Sequence, residues 1–238
     1  MRLGLYYDLR NPGGARSWAR VYAAALDRIG WADRAGIGAI WVTEHHGFAD
    51  GYLPAPLTFC AAIATRTSRA RIGTAVVVSP LIPRPLPVWV GARGPRGARL
   101  AGRTGAGLLW IDRDLFEPCL AGLAQADPPA LPRVGGLANV FLAEDPDRVL
   151  AAVREHGRRN RASYEDAGAA GRETAFPKLR ILTPAAAAAW ISELCAGLPV
   201  TDVFCFGDIG GLDDDLVERH TELAVRELAP VLAEEGEL

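Results

Sequence analysis

Residues 41–46 read Trp-Val-Thr-Glu-His-His, a hydrophobic strand that runs directly into Glu44, His45 and His46. Histidine titrates near neutrality, binds metals and shuttles protons. Two of the chain's four histidines sit here. At a strand end His45 can take or give a proton, or it can simply hold a backbone carbonyl. Glu44 can orient a neighbour or bond to backbone groups. By strand alternation His46 points to the opposite face from His45, so His45 ranks first. Metal chemistry is set aside: three contiguous residues are not a metal spacing, and no third ligand set is visible.

A second constellation is Gly91-Ala92-Arg93-Gly94-Pro95, placed between a strand and a helix. Glycine lets the backbone approach a ligand, and a helix N-terminus favours phosphate. Arg93 can add a charge-assisted bond. Gly94-Pro95 also fits a plain chain turn. Tyr7 and Asp8 close the first strand and are placed to line a pocket, which turns Tyr6 toward the helices; the alternative is that either tyrosine is plain core. Trp110 closes a later strand and reads as packing.

These residues need a scaffold, and the chain alternates strands with helices. Strands are predicted at 2–8, 38–43, 70–78, 88–91, 108–111, 137–143 and 203–206, seven in all. Helices are predicted at 17–35, 55–67, 96–104, 114–125, from Pro146, from Pro184, and over 212–233. The first helix presents Trp18, Tyr22, Ala25 and Ile29 on one face, and the last buries Val217, Ala224, Leu228 and Val231. Residues 157–173 read as a helix end and an exposed loop. Repeated strand–helix units with apolar strands mean a parallel sheet covered by helices. An open doubly wound sheet and a barrel both fit. The first strand–helix turn, Asn11-Pro12-Gly13-Gly14, lacks a dinucleotide fingerprint, which weakens a Rossmann reading.

One unit is missing. Residues 79–87 read Ser-Pro-Leu-Ile-Pro-Arg-Pro-Leu-Pro, between two strands that ought to be parallel. A crossover needs about a dozen residues, usually with a helix. This link can instead run extended for roughly 28 Å, enough to return from the top of one strand to the bottom of the next.

Composition bounds the rest. The chain has 238 residues, 50% of them hydrophobic, and a formal net charge of −2. That suits one domain over residues 1–238 and advertises neither nucleic acid nor an anionic membrane as partner. The N-terminus lacks a signal peptide's apolar stretch, no segment reaches membrane-span length, and the expected location is the cytoplasm. Cys60, Cys119, Cys195 and Cys205 are far apart, in apolar company, and read as buried thiols.

Residues 38–46 resemble the second strand of the bacterial-luciferase-like flavin oxidoreductases, and residues 70–78 resemble that family's third strand. Residues 85–107 resemble a later strand, phosphate-side loop and helix, most closely in the deazaflavin (F420) branch. Residues 201–234 resemble the last strand and helix, with the Gly-rich loop at 207–211. The resemblance implies an α/β fold, a TIM-like (β/α) barrel, here truncated. Flavin would lie at the C-terminal strand ends, with Glu44, His45 and His46 at the mouth.

It further implies FMN or F420 as cofactor and His45 with Glu44 as catalytic residues. Tyr7, Ala75, Val76, Gly91, Ala92, Arg93, Gly94 and Pro95 would contact the cofactor. Ala75-Val76 matches the place where members often carry a non-proline cis peptide beside the flavin ring. Members commonly dimerise, which implies a homodimer through the helices at 17–35 and 55–67. The implied function is monooxygenation with flavin, or hydride transfer with F420, on a small organic substrate. The chain departs from the family in lacking a long segment before the Pro-rich stretch, one that helps bind the cofactor phosphate. A short non-fluorescent flavoprotein of the family shows a similar deletion. That departure keeps two alternatives in view: a flavin-binding protein without turnover, and a cofactor-free barrel serving as another enzyme or as a partner subunit.

Overall fold

The apolar runs pair as parallel strands. In the computed structural model, which describes residues 1–75, 88–164 and 179–235, β1 (Arg2–Tyr7) lies between β2 (Ala39–Thr43) and β9 (Val200–Phe206). Leu5 stands opposite Ile40 on one side and Cys205 on the other. Next to β2 is β3 (Arg71–Ala75). On the far side of β9 follow β6 (Val134–Leu137), β5 (Gly107–Leu109) and β4 (Trp89–Val90). The main sheet therefore has seven strands in the order β3-β2-β1-β9-β6-β5-β4, all parallel. The link at 79–87, and Val76, lie outside the described residues.

The two faces of this sheet differ. On one, Leu3, Leu5, Ile40, Val42, Val203 and Cys205 pack against helices. These include α1 (Trp18–Arg34) through Ala25 and Ile29, and α2 (Pro56–Ala64) through Phe59 and Ile63. Each such aliphatic side chain contributes about 2 kcal/mol by leaving water. On the other face Ala39, Trp41, Leu109 and Phe204 pack with Tyr6, Ala75, Trp89 and Leu137. Every one of these is a strand residue, so the second face packs on itself. The ring centroids of Trp41 and Trp89 lie 6.2 Å apart. In a flat sheet their strands, five places apart, would be separated by about 24 Å. The sheet is curled, as a truncated TIM-like barrel requires, and the doubly wound alternative falls.

Room for the indoles comes from inward glycines. A Cβ on Gly73 would stand 2.9 Å from the Trp41 ring, and one on Gly107 would stand 2.4 Å from Trp89.

The remaining helices are α3 (Pro95–Arg103), α4 (Arg113–Leu123), α5 (Pro146–Tyr164), α6 (Pro184–Cys195), α7 (Asp214–Leu223) and α8 (Ala229–Glu235). Ser17 caps α1 by accepting from the Arg20 N–H, and Gly36, at φ +100°, ends it.

Three expectations change. The strand expected at 137–143 is two strands. The chain turns tightly where the Val140 N–H donates to the Ala138 carbonyl, and β7 (Val140–Leu142) leaves the main sheet to pair with β8 (Arg180–Leu182). The stripe of the last helix slips by one, because a π-helical turn at Ala224–Leu228 inserts a residue. Leu232 is buried where Val231 was expected, and Val231 is exposed. Trp18 does not join the buried face of α1. Its exposed ring lies over Gly51. The helix end expected after residue 157 is the last part of α5, which closes at Tyr164, and residues 165–178 lie outside the described residues.

Candidate active site

Because all seven strands are parallel, their C-terminal ends form one rim. The loop after β2 carries Glu44, His45 and His46. It is fastened to the loop after β1 at several points. The Leu53 N–H donates to the Asp8 carbonyl at 3.1 Å, the Asn11 N–H to the Asp50 carbonyl at 2.9 Å, and within the loop the His45 N–H donates to Leu53 at 3.1 Å. Side chains repeat the connection: Arg10 and Asp50 form a buried ion pair at 2.7 Å.

His45 is half-buried. Its ring meets Tyr52 edge to face at 4.0 Å and Phe48 at 5.4 Å. Burial lowers its pKa, and the nearby charges of Arg10, Arg93 and His46 lower it further against an opposing pull from Glu44. The imidazole is thus neutral at neutral pH, able to accept a proton and return it. Glu44 holds a neighbouring side chain. Its carboxylate accepts from His46 Nε2 at 3.0 Å, and His46 is exposed.

Asp8 is a second titratable group at the rim with a displaced pKa. Its carboxyl is buried and pushed up to about 7, chiefly by burial, with Arg10 pulling it back and Asp208 and Asp50 adding to the rise. Its Oδ1 accepts from the Arg10 N–H at 3.3 Å. The intervening Leu9 has φ +55°, a strained value for a residue with a side chain. A carboxylate closing an apolar strand was the sequence signal, legible as pocket lining but not as a titrating group. Arg10, Asp50 and Tyr52 had no sequence signal, since they meet the histidine only through tertiary contact.

Two expectations on β1 reverse. Tyr7 does not line the concave side. It is fully buried among Leu5, Leu9 and the helices, under Gly207, and burial drives its phenol upward. Tyr6 faces the interior instead, stacked on Phe204 at 5.3 Å. The physical reason is register: Leu3, Leu5 and Tyr7 share the apolar outer face.

Gly91 to Pro95 lies between β4 and α3, as the sequence implies. Gly94 is the N-cap of α3 without a side-chain cap, Pro95 opens the helix, and the first turn has no acid. A Cβ on Gly94 would meet nothing within 4 Å. Ala92 is buried as a plug beneath the loop, while Gly91 and Arg93 are exposed. The structure brings Arg93 and His45 to the same rim, close enough for the guanidinium to depress the imidazole. Ala75 ends β3 on the concave face. The Ala75-Val76 peptide falls outside the described residues. Trp110 packs beside Leu108 and Leu115. Among the described residues, no helix is long and apolar enough to cross a membrane.

A curled parallel sheet with its polar side chains gathered at the C-terminal rim defines the class, a shortened α/β barrel of the TIM type. Within that class the chain belongs to the luciferase-like monooxygenase family, whose model matches residues 1–83 and 79–192. The two matched blocks meet inside the proline-rich stretch.

Among curated proteins, the oxygenase component of flavin-dependent trigonelline monooxygenase from Acinetobacter baylyi is 31% identical over 80 residues, 34% of this chain and 22% of that protein. The chain therefore aligns with less than a quarter of that relative. Among solved structures, monooxygenase RslO1 from Streptomyces bottropensis superposes with a TM-score of 0.79 at 17% identity, over 97% of this chain and 99% of that one. An F420-dependent secondary alcohol dehydrogenase with an F420-acetone adduct superposes at 0.60 with 13% identity, over 94% and 99%. Two of these proteins are named for dependence on flavin or on F420, and the superpositions speak for the fold.

Proposed function

We propose that the chain is a luciferase-like oxidoreductase that takes a reduced flavin, FMN or F420, at the rim and acts on a small organic substrate. The observation that carries this reading is the convergence of His45 and Arg93 on one rim of a chain that belongs to this family.

The residues present fit such a cofactor. The uncapped N-terminus of α3, with open space over Gly94 and with Arg93 beside it, suits a phosphate. The apolar faces of Tyr6, Ala75 and Leu137 suit a planar ring. When bound, FMN supplies oxygen chemistry and F420 supplies a hydride. The chain's own part is to bind, orient and manage protons. Arg93 and the α3 amides hold negative charge. His45 Nδ1 or Nε2 accepts a proton while its neutral form prevails, and Asp8 offers a carboxyl that ionises near neutrality. Titrating the purified protein with FMN and with F420, oxidised and reduced, tests the reading. Saturation at or below roughly 50 μM, about −6 kcal/mol, by one of them is expected. Failure of both contradicts it.

A second reading is flavin binding without turnover. It is favoured by the meeting of the two matched blocks at residues 79–83, where the sequence lacks a unit. It predicts bound flavin, no oxygen or hydride chemistry, and a His45→Ala variant indistinguishable from the parent.

A further inference from the structure

His45 does not stand at the rim by itself. Arg10 Nε and Nη2 approach the same oxygen of Asp50 at 2.8 and 2.7 Å, and both side chains are almost wholly withdrawn from solvent, at 2% and 6% exposure. Removing one member of such a pair strands a buried charge, so each fixes the other. The guanidinium lies over the Tyr52 ring at 4.6 Å and near Phe48 at 5.7 Å. The Tyr52 ring in turn meets the His45 imidazole at 4.0 Å. One aromatic ring is shared by a guanidinium and an imidazole.

We propose that Arg10, locked by Asp50, is the positioning residue of His45 and acts through the shared Tyr52 ring. The inference rests on reading His45 as the proton-handling group of the rim. The backbone supports it. The strained Leu9 persists only where its surroundings hold it, and the Asp8–Leu53 and Asn11–Asp50 bonds flank it. The cation–π contact with Tyr52 fixes the ring plane against which the imidazole rests. The charged and titratable groups facing His45 come from three places: Arg10 from the loop after β1, Glu44, His46 and Tyr52 from its own loop, and Arg93 from the loop before α3. Of the cations among them, Arg10 is the one held rigidly.

The test is the titration of the His45 ring by NMR in the flavin-free protein, with the signal identified by His45→Gln. In an Arg10→Met/Asp50→Leu double variant, which replaces the pair by apolar residues and leaves no lone charge, the midpoint moves up toward the ordinary histidine range. Tyr52→Leu moves it the same way, and Arg10→Lys, which keeps the cation, moves it less than the double variant. If the double variant does not fold, Tyr52→Leu alone decides. A midpoint unmoved by Tyr52→Leu, or by the folded double variant, overturns the proposal. Because flavin is absent, a parent protein that binds no flavin defeats the functional reading and leaves this result standing. An unmoved midpoint in a protein that binds flavin defeats this inference by itself.

Discussion

The indoles of Trp41 and Trp89 meet edge to face at 6.2 Å across the concave face, although their strands stand five places apart in the sheet. Trp41 stacks on Phe204 at 5.3 Å, and Trp89 lies against Gly107 and Gly135. Two large rings and the glycines opposite them fill the floor of the curled sheet. Trp89→Ala should destabilise the fold by on the order of 3 kcal/mol. Gly135→Val, whose Cβ would stand 2.8 Å from the Asp202 carbonyl oxygen and 3.1 Å from Trp89, should cost about 1–3 kcal/mol. Denaturant unfolding measures both. Parent-like midpoints would mean the indole contact does not hold the curl.

His220 on α7 predicts an acid weakness. It is fully buried, its Nδ1 accepts the Leu142 N–H at 2.8 Å, and its Nε2–H donates to the Phe206 carbonyl at 2.6 Å. Burial pulls its pKa down from 6.5 to about 4. The unfolded chain therefore binds the proton more readily. The contribution is fully present above about pH 6.5 and fades as pH falls toward 4. The loss attributable to this residue is on the order of 3 kcal/mol. His220→Gln should flatten the pH dependence of stability in that window, read as the parent-minus-variant difference. An unchanged slope would contradict the assignment.

Asp8 acts in the opposite direction. Its carboxyl is raised from 3.8 to about 7, so the stability linked to it is present below about pH 3.8 and lost as pH rises through 7. Asp8→Asn keeps an acceptor for the Arg10 N–H and cannot ionise. It should be more stable than the parent at pH of about 8, by at most about 4 kcal/mol, with the advantage vanishing in acid. Thermal melts across pH give the comparison. A variant less stable than the parent at high pH would show that the charged form is the one the fold prefers.

Arg93 is the exposed charge at the α3 N-terminus. Arg93→Ala should weaken FMN binding about 5- to 30-fold, the equivalent of about 1–2 kcal/mol for a charged hydrogen bond. Riboflavin, which has no phosphate, should lose little. Equal weakening of both ligands would place Arg93 at the ring or at neither part.

Much of this fold was legible because its strands are apolar on both faces and its helices begin with clear caps, as Ser17 and Thr183 show. The rim was legible through Glu44, His45 and Gly91 to Pro95, which interrupt apolar patterns. What escaped has local causes. Val134-Gly135-Gly136 fell outside the strand expected at 137–143, yet its glycines make room for Trp89 and Ile111 beside β6. β8 is three residues long, too short for periodicity. The phase of the last stripe was lost to one inserted residue in a π turn. Tyr6 and Tyr7 are reversed because the outward run Leu3, Leu5, Tyr7, and not the polar strand end, sets which way β1 faces. Arg10 and Asp50, forty residues apart, become partners only when the loops after β1 and β2 meet.

The most direct test of the rim as a cofactor site is a crystal structure of the protein soaked with FMN and, separately, with F420. The phosphate is expected on the backbone N–H groups of Gly94, Arg96 and Gly97 beside Arg93, and the ring system against the concave face next to His45. Cofactor bound away from both residues, or a rim that stays empty at saturating ligand, would contradict it.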